Sequence, residues 1–166
     1  MATVSEVYDG SAVTLVTTAL DSLASGSWWQ SAAVDNTNAG TPSASISDNA
    51  LEIQLHVTVV FGAVSPAAGA VIEVYAYGST DGTNYDDAIT GSQGTFTADN
   101  PTQLKLIGVV PTPSGSRSYK GGPFGVSKAS DGWLPRKWGV AIRNNAGVAI
   151  STGNAVIYQA LKQQVV

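Results

Sequence analysis

Apolar and polar positions alternate most cleanly from residue 51 to residue 61. Leu51, Ile53, Leu55, Val57, Val59 and Phe61 interleave with Glu52, Gln54, His56, Thr58 and Val60. A period of two is the mark of a strand with one face in a core and the other toward solvent. Further strands are predicted at 71–77, 103–110, 137–144 and 155–161, each bounded by turn-forming residues. In the 71–77 run Ile72, Val74 and Ala76 share a face; in the 137–144 run Trp138, Val140 and Ile142 do, opposite Lys137, Gly139, Ala141 and Arg143. The segment "TLVTTALDSLASGSWWQSAAV" keeps no clean helical stripe and is rich in Ser and Thr, which favours two strands near 12–19 and 27–34.

Asp81-Gly82 and Asn145-Ala146-Gly147 read as tight turns, where Gly and Asn tolerate a left-handed backbone. Loops are predicted at 35–48, 86–94 and 112–132, which are dense in Ser, Gly, Asn and Pro. Eight or nine short strands without a convincing helix predict an all-β fold: an antiparallel β-sandwich, jelly-roll-like, forming a single domain over 1–166. Residues 1–11 are expected to serve as an N-terminal arm.

At 166 residues the chain has room for one core, enough to bury about 70% of its unfolded surface. Charged residues make up 12%, about half the share usual in soluble domains, so the surface must be largely Ser, Thr, Asn, Gly and Ala. Such a skin is easily covered by another protein, because stranded charges are what make burial costly. There is no cysteine, which excludes disulfides and thiolate metal sites. The N-terminus lacks the basic start and apolar core of a signal peptide, and no apolar run is long enough to span a membrane, so synthesis in a cytoplasm is expected.

Charge is divided unevenly along the chain. Residues 1–100 hold eleven acids and no base, whereas residues 101–166 hold eight bases and Asp131 alone among acids, giving −11 and +7 for the net −4. Interleaved strands would neutralise this split within one molecule; complementary patches on neighbouring copies would instead use it to set register. The acidic total and the scatter of the eight bases argue against a nucleic-acid partner.

No catalytic motif of the nucleophile-elbow, zincin, P-loop or dinucleotide kind is present, and the one histidine, His56, falls on the polar side of its strand. The chain is therefore expected to be no enzyme and to need no cofactor. Asp81, Asn84, Asp86 and Asp87 cluster as oxygen ligands do for Ca²⁺, but without EF-hand spacing, and a solvated hairpin tip is the expected reading. Trp28 and Trp29 are adjacent and must point to opposite faces, one into the core and one outside it or under a loop. Trp29 and Trp133 are candidate platforms for a sugar ring, a use that competes with ordinary core and interface packing.

The phrases "IEVYAYGSTDGTNYDD" from Ile72, "LPRKWGVAIRNNAG" from Leu134 and the closing "AVIYQAL" resemble small β-sandwich structural proteins of tailed bacteriophage virions, over about the last two thirds of the chain. The resemblance implies a non-enzymatic capsid decoration (cement) protein, resident in the virion, oligomeric, and bound to the major capsid protein or another virion protein. It carries no active-site residue. The basic stretch around Trp138 then supplies the expected contact set: Trp133, Arg136, Lys137 and Arg143, with neither nucleic acid nor membrane as partner. A tail, neck or fibre module binding host-surface carbohydrate is the alternative.

Overall fold

The structure is a computed structural model that describes residues 4–8, 10–16, 18–36, 50–114 and 117–165. Its eleven strands are β1 (Val4–Tyr8), β2 (Val13–Val16), β3 (Trp28–Gln30), β4 (Val34–Asp35), β5 (Glu52–Val60), β6 (Val71–Ser79), β7 (Gly94–Phe96), β8 (Lys105–Pro111), β9 (Ser118–Gly125), β10 (Lys137–Asn145) and β11 (Ala155–Val165). Two one-turn 3-10 segments, Pro101–Gln103 and Ser127–Ser130, are the helical elements among the described residues.

All pairings are antiparallel and form two sheets. One sheet runs β1-β11-β5-β9, with β2 also on β11; the other runs β7-β3-β10-β6-β8, with β4 also on β10. β1 and β2 lie end to end along β11, and β3 and β4 end to end along β10, so each pair is one interrupted strand. Counted this way there are nine strands among the described residues. The orders 2-11-5-9 and 3-10-6-8, with the chain crossing repeatedly between sheets, are those of a jelly roll.

The predicted alternation is what packs the core. Ile53, Leu55, Val57, Val59 and Phe61 from β5 and its end meet Ile72, Val74, Trp138, Val140 and Ile142 from the opposite sheet, all almost completely buried. Leu51, predicted on the same face, is 40% exposed because it precedes the paired stretch. Trp138 meets Tyr158 of the facing sheet edge to face at 5.1 Å, a favoured aromatic geometry.

Trp28 and Trp29 diverge as the pleat requires. Trp29 enters the main core, and Trp28 joins a second cluster with Tyr77, Ile89, Leu104 and Ala141 on the outer side of the β10 sheet. The segment from Thr80 to Leu104 roofs that cluster. Gln30 ties it down, donating to the Thr90 hydroxyl at 2.7 Å and accepting from the Thr90 N–H at 3.2 Å. One outer face of the sandwich is thus covered, while the β5–β11 face, with Gln54, His56, Thr58 and Gln159, has no such layer among the described residues.

The loop predicted at 112–132 is corrected: Ser118–Gly125 is strand β9, paired along β5. Its sequence, "SYKGGPFG", has no alternation to betray it. Within the expected arm, Val4–Tyr8 pair along β11 of the same chain. Residues 1–3 and 9, and 37–48 of the loop predicted over 35–48, lie outside the described residues.

Candidate functional site

The most prominent exposed group is Trp133, 79% accessible on the turn that leads into β10. Its neighbours explain how an indole is held in water. The Gly132 N–H donates to the Ser127 carbonyl and the Trp133 N–H to that of Ser130, both at 3.0 Å, closing two compact turns. Asp131 takes the left-handed conformation (φ 54°) that ends the 3-10 segment. Upstream, Glu52 clamps the turn: one carboxylate oxygen accepts the Ser127 N–H at 3.0 Å, and the other accepts the Ser127 hydroxyl. Downstream, Leu134 packs against the main core, and Pro135 fills the space beside Gly78. Trp133 therefore stands on a turn anchored on both sides, and little conformational entropy remains to be lost when it is covered.

Arg136 and Lys137 border this turn. Arg136 is exposed, and both side chains lie beside the 79–84 turn, where they would contact a β-carbon placed on Gly82. Lys137 lies in register between Asp35 on β4 and Ser79 on β6. Asp35 and Asp81 gather at the same end, where they join burial, the larger cause, in raising the pKa of Tyr85.

Arg143 departs from the other three expected contact residues. It sits at the opposite end of β10, directly across from Glu73, with a 3.4 Å ion pair and its guanidinium 5.4 Å over the Trp28 ring. Its charge is engaged inside the molecule. This is the neutralising arrangement the charge split allowed, seen at two register pairs: Glu73 opposite Arg143, and Asp35 opposite Lys137.

Trp29 is buried to 1% and offers no platform to a sugar, which corrects that expectation; Trp133 keeps it open. The Asp81 cluster is a structural turn. Asp81 Oδ1 accepts the Ser79 hydroxyl and the Thr83 and Asn84 N–H groups, each at 2.8 Å, and Oδ2 accepts the Asn84 amide at 2.6 Å. These donors, led by the backbone of Asn84 and Thr83, hold its carboxyl well below the usual carboxylate range. Asp87 in turn accepts the Asp99 and Asn100 N–H groups at 2.9 and 2.7 Å and organises the roof. Among the described residues no group of three or more metal-ligating side chains forms. His56 is exposed on the open sheet face, in a shallow depression of about 280 Å³ shared with Thr58, Lys120, Gly122 and Ile157.

The sequence reading missed Glu52, whose anchoring role needs a partner 75 residues away, and an open, mainly apolar depression at the far end of the sandwich. That depression, about 470 Å³, lies between the loops after β5 and β10 and is lined by Ala63, Val64, Val148 and Ile150 with the hydroxyl residues Ser22, Ser151 and Thr152. The available signal was a pair of loops, 61–70 and 146–154, with several apolar residues and no charge.

Fold and site together define a jelly-roll sandwich bearing a rigid, exposed tryptophan turn flanked by cations. The sequence matches no protein-family model and no curated protein.

Proposed function

We propose that this chain is a non-enzymatic structural protein of a bacteriophage virion, a decoration protein that binds the assembled head and stabilises it. The observation that carries the reading is Trp133, held exposed on an anchored turn beside Arg136. Trp and Arg dominate binding energy at protein interfaces, and a pre-fixed side chain loses little freedom on docking. The low surface charge favours the same use, and jelly rolls recur among viral capsid domains, an argument from analogy of fold. The mechanism is linkage: a protein that binds only the assembled lattice stabilises it by mass action. Trp133, Arg136 and Lys137 form the contact set, the cations facing acidic groups on the shell or on a sister copy. Arg143, paired with Glu73, is left out of it.

The test is co-sedimentation of the purified chain with heads of the phage that encodes it, freed of the protein. Saturable binding and a raised melting temperature of the heads are expected, and binding should weaken in Trp133→Ala and in the Arg136→Ser/Lys137→Ser pair. Heads that bind none of the chain would overturn the reading. The same exposed indole favours one alternative, a carbohydrate-binding module of the tail or fibre, since lectins also use this fold. Quenching or shift of Trp133 emission during glycan titration would select that alternative.

A further inference from the structure

A polar cleft of about 210 Å³ lies beside the Trp133 turn, between the end of β6 with the loop that follows it and the 3-10 segment Ser127–Ser130. Its lining includes the polar residues Thr80, Asn84, Asp86 and Ser130 and the apolar residues Ala129 and Pro135. Trp133 stands at the margin. It lies between Ser130 and Pro135 in the chain, and its N–H donates to the Ser130 carbonyl at 3.0 Å. We infer that this cleft binds one ring of a neutral sugar, with the exposed Trp133 indole as the platform for the next ring. The inference deepens the sugar-platform reading of Trp133 given above and does not depend on attachment to heads.

The lining carries the chemistry of a polyol site. The Thr80 and Ser130 hydroxyls and the Asp86 carboxylate make no hydrogen bond among the described residues. Asn84 donates its amide N–H to Asp81 at 2.6 Å, which holds the amide in place and leaves its carbonyl oxygen as an acceptor. Two hydroxyls that donate and accept, set beside two acceptors, match the adjacent hydroxyls of a sugar ring, each of which does both. Of the lining residues Asp86 alone is charged, so an anionic ligand meets repulsion there and a neutral sugar gains a charge-assisted bond. Ala129 and Pro135 offer apolar contact to the C–H face of the ring, as the indole does for the ring beside it.

The cleft is also built in advance. The hydrogen bonds to Asp81 hold the 79–84 turn, and the Gly132 and Trp133 N–H bonds hold the turn that faces it. Little ordering is therefore left to oppose binding. Pockets for drug-sized ligands run to about 300–1,000 Å³, so a cleft of about 210 Å³ takes a single ring, and such a small ligand binds in the millimolar range. The remainder of an oligosaccharide lies outside, where Trp133 is 79% accessible.

The experiment is an NMR titration of the isotope-labelled full chain with glucose, galactose, mannose, N-acetylglucosamine and their trimers, up to about 50 mM. At least one of these sugars is expected to bind saturably and to shift the amides of Thr80, Asn84, Asp86 and Ser130 together with the Trp133 indole. Asp86→Ala should weaken that binding at least about tenfold, and Asp86→Asn less, because its amide oxygen still accepts. Asp86 is exposed, so both variants should keep the wild-type melting temperature. Trp133→Ala should weaken the trimers more than the single sugars. Cleft amides that respond to none of the sugars, binding that Asp86→Ala leaves unchanged, or a response to calcium chloride in place of sugar would each overturn the inference. Trp133 emission that changes while the cleft amides stay still refutes the cleft and keeps the sugar platform; silence in both refutes the two together. Attachment to heads is read separately, and Asp86→Ala, outside the head-contact set, should leave it unchanged.

Discussion

Tyr77 on β6 and Gly139 on β10 are register partners, and the tyrosine ring occupies the space that a β-carbon on Gly139 would need. The ring cannot swing clear, because it is buried in the roofed cluster and its hydroxyl donates to the Ser31 carbonyl at 2.7 Å. Gly139→Ala should therefore destabilise the fold by about 1–3 kcal/mol, the usual cost of overpacking. Urea unfolding is expected to show a lower midpoint with an unchanged slope.

The same cluster predicts alkaline sensitivity. Burial, followed by the hydrogen bond to Glu73 and its charge, pushes the Tyr75 hydroxyl up to about 12, and burial pushes Tyr77 up as well. Both values lie above the unfolded value of 10.0. The folded chain therefore keeps protons that the unfolded chain releases once pH passes about 10. The stability these groups contribute is full below pH 10 and is lost as pH rises through the folded values. Denaturant midpoints should be level from pH 8 to 9.5 and fall between pH 10 and 12. Tyr77→Phe should start lower, having lost the Ser31 bond, yet fall less over that window.

Arg143 and Arg136 should separate cleanly. Arg143→Ser removes the pairing with Glu73 and the cation over Trp28, and should cost about 1 kcal/mol, part of it screened by salt. Arg136→Ser, at an exposed position, should change stability by no more than about 0.5 kcal/mol. Thermal melts at low and high salt check both. Equal losses for the two would mean that Arg136 is also part of the internal charge pairing.

Glu52 should control the tryptophan turn from the start of β5 in the other sheet. Glu52→Ala leaves the Ser127 N–H and hydroxyl without their acceptor, at a cost of about 1–3 kcal/mol. The anisotropy of Trp133 emission should drop as the turn loosens, whereas Glu52→Gln should retain part of it.

Four tryptophans are present, and Trp133 alone is open to solvent, since Trp28, Trp29 and Trp138 are 7%, 1% and 0% exposed. Acrylamide should quench one accessible fraction in the wild type and almost none in Trp133→Phe. Quenching that persists in the variant would show the roof over Trp28 opening in solution.

Of the candidate site, the sequence made Trp133, Arg136 and Lys137 visible as aromatic and basic residues ahead of a strand, but it ranked Arg143 with them. Side chains on one strand say nothing about which strand lies alongside. Only the β6–β10 register sets Glu73 against Arg143, and only the β5–β9 end sets Glu52 against Ser127. Strand β9 went unread for the same reason. Phe124 lies over Gly108 and Gly121, so β9 is held by the closeness of another sheet's edge, a condition its own residues cannot express.

By itself the sequence determined the all-β class, the core faces of β5, β6 and β10, and the divergence of Trp28 from Trp29. Each follows from the pleat, a local property in which neighbouring side chains point opposite ways. The tertiary structure alone decided which sheet face is roofed, which charges cancel inside the molecule, and that an anchored tryptophan and an open apolar depression stand at opposite poles. Those depend on contacts between segments tens of residues apart, and the packing of the two sheets chooses them.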